Sequence, residues 1–115
     1  MHQFVTNTDN IIMCGDWNSI LSPKDTTKPN TACFSNVLKH ITTSLRYKDI
    51  FSSNKRKPEY TFYRKNYAAR LDRIYVNKLF SNIQDTITYP TSFSDHLCVC
   101  VSLEIAPNIQ IAKPR

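Results

Sequence analysis

Three short stretches of this chain hold side chains suited to one kind of chemistry: Gly15-Asp16-Trp17-Asn18, Arg70-Leu71-Asp72-Arg73-Ile74 and Ser94-Asp95-His96. Together they offer carboxylates, a carboxamide and an imidazole. Cleaving a phosphodiester needs a hard cation held by oxygen ligands, a water made nucleophilic, and donors that neutralise charge growing on the phosphoryl oxygens. Asp16, Asn18, Asp72, Asp95 and His96 meet those needs and are the candidate catalytic residues. In an extended Asp16-Trp17-Asn18 segment the acid and the amide project to the same side, one to activate water and the other to hold a phosphate or a water. Three of the seven aspartates, Asp16, Asp72 and Asp95, lie at the ends of or inside strand-like apolar runs. That placement is unusual for a solvated surface charge. Taken singly, an Asp-x-Asn or a Ser-Asp-His is common and generally marks a polar loop; the order and spacing of all three stretches carry the reading.

The elements that must position these residues follow from periodicity and turn chemistry. Residues 10–15 form a short apolar run ending at the only glycine, Gly15, which reads as a strand buried on both faces. Gly15 is predicted to turn the chain and leave Asp16 at the strand's C-terminal edge. Residues 22–31 read as a polar loop, after which Phe34, Val37, Leu38, Ile41 and Leu45 recur at helical spacing. An amphipathic packing helix is expected there, capped by Asn30 or Thr31 and ending near Arg46 and Lys48. Residues 60–64 and 70–76 read as an antiparallel pair after a basic loop at 52–58. Alternation in the second strand puts Asp72 on one face with Ile74 and Val76, where a carboxylate needs a partner. A helical turn over 78–82, a strand over 83–89 and a final strand over 97–105 complete the expectation. The tail, 106–115, reads as flexible.

With 115 residues and 21% charged against 41% apolar side chains, the chain has the composition of one small folded domain. No run approaches the roughly 20 apolar residues of a bilayer span, and the first residues carry no secretory pattern. An intracellular protein, nuclear or cytoplasmic, with no membrane partner is expected. The formal charge of +6 favours a polyanion. Ten of the fifteen basic residues fall between Arg46 and Lys78, interleaved with aromatics, and of these Arg64, Lys65, Arg70 and Arg73 are the candidate nucleic-acid contacts. A solvated basic face of no special purpose explains the charge about equally well. Cys14, Cys33, Cys98 and Cys100 have no zinc-like spacing and read as buried free thiols, with Cys98 and Cys100 on one face of a strand.

The three stretches, in this order, resemble the motifs of the endonuclease/exonuclease/phosphatase superfamily, the four-layer α/β sandwich nucleases related to abasic-site endonucleases and deoxyribonuclease I. Gly15-Asp-Trp-Asn18 is similar to its Gly-Asp-Phe-Asn, with Trp17 for Phe. Ala69-Arg-Leu-Asp-Arg-Ile-Tyr-Val76 is similar to its Arg-x-Asp strand, and Ser94-Asp-His96 to its terminal Ser-Asp-His. Tyr60-Thr-Phe-Tyr-Arg64 followed by Arg70-Leu-Asp-Arg-Ile-Tyr resembles most the endonuclease domains of non-LTR, LINE-like retrotransposons.

The resemblance implies an α/β (α+β) fold, half of a four-layer sandwich with a mostly antiparallel mixed sheet and flanking helices, over residues 1–105. It implies that Asp16 activates water, Asn18 binds the scissile phosphate, His96 stabilises the transition state, and Asp72 holds the His96 imidazole. Asp95 is implied near Mg2+ or Mn2+, with Asp16 as a further metal residue. The family's first half, with its principal glutamate ligand, has no counterpart before residue 10. The isolated chain is therefore expected to bind metal weakly and to cleave DNA little or not at all. Expected partners are DNA and either the missing first half or a reverse transcriptase of the same polyprotein. Two alternatives stand beside this: a phosphoesterase of the sphingomyelinase or inositol-polyphosphate phosphatase kind, and a non-catalytic basic remnant that binds nucleic acid.

Overall fold

The computed structural model describes residues 11–51, 59–77 and 83–103. The turn expected over 78–82, the basic loop at 52–58 and the tail from residue 106 lie outside them.

The strand β5 (Asp72–Val76) organises the fold, with β1 (Ile12–Asp16) and the two-residue β2 (Lys48–Asp49) paired antiparallel on its two sides. Its alternation sorts side chains onto two faces. Tyr75 points to one face and packs with Leu38 and Ile41, joined by Met13, Trp17, Leu21 and Tyr47. Ile74 and Val76 point to the other and pack with Ile50, Phe51 and the inward residues Val99, Val101 and Leu103. Those last three belong to β7 (Cys98–Leu103), which pairs antiparallel with β6 (Ile83–Tyr89). A short helix therefore covers one face of the central sheet and a hairpin the other. With mostly antiparallel strands and one short α-helix among the described residues, the fold class is α+β.

The helix is shorter than its apolar spacing predicts. An α-helical turn, α1 (Asn36–Lys39), runs into a π-helical turn over His40–Ser44. Its cap is Ser35, whose hydroxyl accepts from the Leu38 N–H at 3.1 Å. Asn30 and Thr31 lie in a separate 3-10 turn, Pro29–Thr31. Phe34 precedes the helix and bridges in parallel to Ile20. Val37, ahead of the wide turn, is exposed, and Leu45, which follows it, is carried off the buried face and is exposed too.

One pairing and the setting of one strand differ from expectation. The strand over 60–64 does not pair with 70–76. Instead β3 (Phe62–Arg64) folds back on β4 (Tyr67–Ala69) through a two-residue turn, with Lys65 at φ 37°. Lys-Asn lacks the glycine that usually marks such a turn, which hides it from sequence reading. Strand β1 is also not buried on both faces: Ile12 is 48% exposed and Cys14 is exposed. The β6–β7 hairpin packs on β5 and Ile50 and leaves the same face of β1 uncovered. Gly15 sits inside β1, paired with Arg73, at φ 150°. The bend falls three residues later, at Asn18 with φ 47°.

Candidate functional site

The antiparallel register of β1 and β5 sets Asp16 directly opposite Asp72. Like charges at such a position repel, and the imidazole of His96 lies between them. Its Nδ1 is 2.7 Å from Asp72 Oδ2, and its Nε2 is 3.7 Å from Asp16 Oδ2. Donor atoms of Asp16, Asp72 and His96 all lie within 4.8 Å of one another. The carboxylate that shares a strand face with Ile74 and Val76 thus finds its partner in an imidazole 24 residues away.

His96 is held by its neighbours on three sides. Residues 61–63 strap the segment before β7: the Leu97 N–H donates to the Thr61 carbonyl at 2.6 Å, and the Tyr63 N–H donates to the Asp95 carbonyl at 3.1 Å. The Phe62 ring sits 5.0 Å from the imidazole. The His96 N–H donates to Ser94 Oγ at 3.0 Å, which accounts for the serine of the Ser-Asp-His stretch. Thr61 is the site residue that sequence reasoning missed. Its buried hydroxyl accepts from the N–H groups of both Leu71 and Asp72 at 3.0 Å, so one side chain fixes the start of β5 while its carbonyl fixes the histidine segment. A threonine in a run of aromatics carries no signal that would have singled it out.

At the other strand end, Trp17 packs edge-on against Tyr75 at 5.4 Å and donates Nε1–H to the Arg73 carbonyl at 3.4 Å. This anchors the chain just past Asp16. Asp16 Oδ1 accepts the Asn18 N–H at 2.8 Å, closing the turn that sets Asn18 beside the acid. The hydrogen bond that Asp72 accepts raises the pKa of His96, opposed by burial and reinforced by the charges of Asp72, Asp16 and Asp95. The imidazole is thereby biased towards the charged form, Nδ1–H to Asp72 and Nε2–H towards Asp16 and solvent.

Asp95 does not join the cluster of donor atoms. Its carboxylate turns to Arg64 at 4.0 Å, both side chains being largely exposed. Arg64 also lies 5.7 Å over the Phe62 ring, and Lys65 beside it is exposed. Arg70 and Arg73 are a correction. Both are buried, at 4% and 0% exposure, and cannot reach a nucleic acid. They close a network with Asp25 and Asp49: Arg70 donates to both at 3.0 and 2.6 Å, and Arg73 to both at 2.7 and 3.1 Å. Burial would push the Asp25 carboxyl up, but the Arg70 and Arg73 guanidiniums outweigh it and hold it below its usual range.

A cation fits this donor set in part. Hard cations take oxygen ligands, and Asp72 Oδ2 is already engaged by the imidazole, which leaves Asp16 as the carboxylate open to an ion. Cys14 and Cys33 are exposed and Cys98 and Cys100 half-buried, so the four free thiols are not the buried set the sequence suggests. Among the described residues no helix is long and apolar enough to cross a membrane. Compared with protein-family models and with curated proteins, the chain matches none.

Proposed function

We propose that this chain carries catalytic machinery of a magnesium- or manganese-dependent DNA endonuclease of the kind its motifs resemble, built on half of a four-layer sandwich. The supporting observation is the Asp72–His96 pair facing Asp16 across two antiparallel strands, with the imidazole anchored at Nδ1 and its Nε2 3.7 Å from Asp16 Oδ2, beyond hydrogen-bond length. An anchored, charge-biased imidazole is suited to donating Nε2–H to a phosphoryl oxygen as negative charge grows on it. A histidine held charged is a poor proton acceptor, so Asp16 takes the general-base role towards water. Asn18, fixed by the Asp16 turn, binds the scissile phosphate, and Asp72 positions the imidazole. The cation would be held by Asp16 directly and by Asp95 through water; when bound it supplies Lewis-acid neutralisation of phosphoryl charge. DNA is the favoured substrate because Arg64 presents exposed positive charge beside Asp95, the neighbour of His96, and Lys65, next in the chain, is exposed too. In a retroelement setting the nicked end would serve a reverse transcriptase.

With one carboxylate open to an ion that prefers about six oxygen ligands, turnover by this chain alone is slow. The test is conversion of supercoiled plasmid to open circles in Mn2+, an assay in which one cut per molecule is visible. Slow, Mn2+-dependent nicking is expected, lower in His96→Ala and Asp16→Ala by about 10²–10⁴-fold while DNA affinity stays the same. Equal rates in the parent chain and both variants would overturn the reading and leave DNA binding without catalysis.

A further inference from the structure

On the outer face of the β6–β7 hairpin, away from the core, Cys98 Sγ and Cys100 Sγ lie 3.7 Å apart. The alternation that sends Val99, Val101 and Leu103 inward sends these two thiols outward, and neither is in a disulfide. Tyr89, opposite Cys98 in the ladder, brings its hydroxyl to 3.8 Å from Cys100 Sγ. The surface is open: Ile87 and Tyr89 are 56% and 45% exposed. We propose that Cys98 and Cys100 form a two-thiolate site for a thiophilic divalent cation of the zinc and cadmium class.

The sulfur separation carries the argument. With metal–sulfur bonds of about 2.3 Å, two corners of a tetrahedral thiolate site stand about 3.8 Å apart. The two thiols of β7 already hold that spacing on a paired strand, so little reorganisation is needed for both to bind one ion. Each thiol loses one proton to solvent as its metal–sulfur bond forms, and nothing is oxidised or reduced. Soft thiolates select such ions over magnesium, so this site and the Asp16 site take different metals. Tyr89 completes the outer surround. In the thiol form Cys100 donates to that hydroxyl, and once Cys100 is a thiolate the direction reverses and Tyr89 donates to sulfur. The remaining corners are left to water or to a ligand from a partner.

The test uses Cd2+ as the probe, followed by thiolate-to-metal charge-transfer absorption. One equivalent is expected to bind. Partners that only touch a ligand are worth about 10–100-fold, so Tyr89→Phe is expected to weaken binding about tenfold and Cys98→Ser or Cys100→Ser more than about a hundredfold. The Cys14→Ser/Cys33→Ser double variant is expected to bind as the parent does. Because a variant can fail to fold, the parent chain is also alkylated with and without Cd2+ and mapped by mass spectrometry. Slower alkylation confined to Cys98 and Cys100 supports the site. Equal protection of all four cysteines, no protection, or undiminished binding in the folded Cys98→Ser variant overturns it.

Discussion

Asp72 and Arg73 are neighbours in β5, yet they belong to opposite kinds of environment. Arg73 has no exposure and joins Arg70, Asp25 and Asp49 in a sealed network of two positive and two negative charges. Asp72 points the other way, to an edge where Asp16 and His96 are partly open to solvent and one imidazole nitrogen has, among the described residues, Asp16 at 3.7 Å as its ion-pair partner. The same residue types therefore serve structure on one face and offer chemistry on the other. Charge matching separates them: each charge of the sealed network faces an opposite one, although Arg73 Nε has no hydrogen-bond partner among the described residues. Buried charges persist only when matched, whereas a group that acts on a substrate must keep a donor or acceptor uncommitted.

Breaking the sealed side is expected to produce the largest effect. Arg73→Ala leaves Asp25 and Asp49 with Arg70 alone in a site without water access, which is expected to cost about 3–5 kcal/mol in urea denaturation. That is a large share of the roughly 5–15 kcal/mol that holds a domain together. A loss below about 1 kcal/mol would mean that water reaches the network and that the two faces of β5 differ less than their exposure implies. The open side is expected to respond differently. Asp72→Asn keeps an acceptor for Nδ1–H but removes the charge, so the His96 pKa falls back towards its ordinary value, as proton NMR of the imidazole would read. Nicking is expected to drop about 10–100-fold, with little change in urea midpoint at a pH above the folded His96 pKa, where the imidazole contributes no charge-linked stability. An unchanged His96 titration in that variant would show that Asp72 does not govern the imidazole.

The difference between the faces also decides what could be read from sequence. Alternation in residues 70–76 correctly put Asp72 with Ile74 and Val76 and demanded a partner for it, because period-two sorting depends on the strand alone. The strand over 83–89 and, of the one expected over 97–105, the part Cys98–Leu103 are legible for the same reason; residues 104–105 lie outside the described residues. Arg70 and Arg73 were misread as nucleic-acid contacts because charge counting registers a guanidinium but not its partners. Those partners, Asp25 in a 3-10 turn and Asp49 in a two-residue strand, are separated from them by 21 to 48 residues. Nothing local announces either pairing. Thr61 stayed hidden likewise, since its value lies in two backbone N–H groups ten and eleven positions on.

The two faces are also expected to leave opposite marks on the pH dependence of stability. Asp25 has a folded pKa below its unfolded value of 3.8, so its contribution is present above that pH and is lost as pH falls through the lower, folded value. His96 has a folded pKa above its ordinary 6.5, so its contribution is full below that value and is lost as pH rises through the folded one. Urea midpoints measured from acid to alkaline pH are expected to fall at both ends. His96→Ala should flatten the upper limb alone and leave the acid limb in place. A variant that flattened both would tie the two faces into one titrating system and erase the distinction.

The smallest effect on stability is expected at Arg64, and it sharpens the comparison because Arg64 is the same residue type as Arg70 with the same kind of partner. Its pair with Asp95 is 4.0 Å long and lies at side-chain exposures of 74% and 48%. Exposed pairs are worth about 0–1 kcal/mol, because water screens the attraction and two long side chains must be ordered to make it. Arg64→Ala is therefore expected to shift the urea midpoint by an amount corresponding to less than about 1 kcal/mol. Its effect should appear instead in DNA binding, where each phosphate neutralised by an exposed cation contributes a slope of about −0.9 to log affinity against log salt. Measured over a range of salt concentrations, Arg64→Ala is expected to flatten that slope by about one unit and weaken binding evenly across DNA sequences. An unchanged slope would take Arg64 out of the proposed DNA contact and remove the contrast between a guanidinium that holds the fold and one left for a ligand.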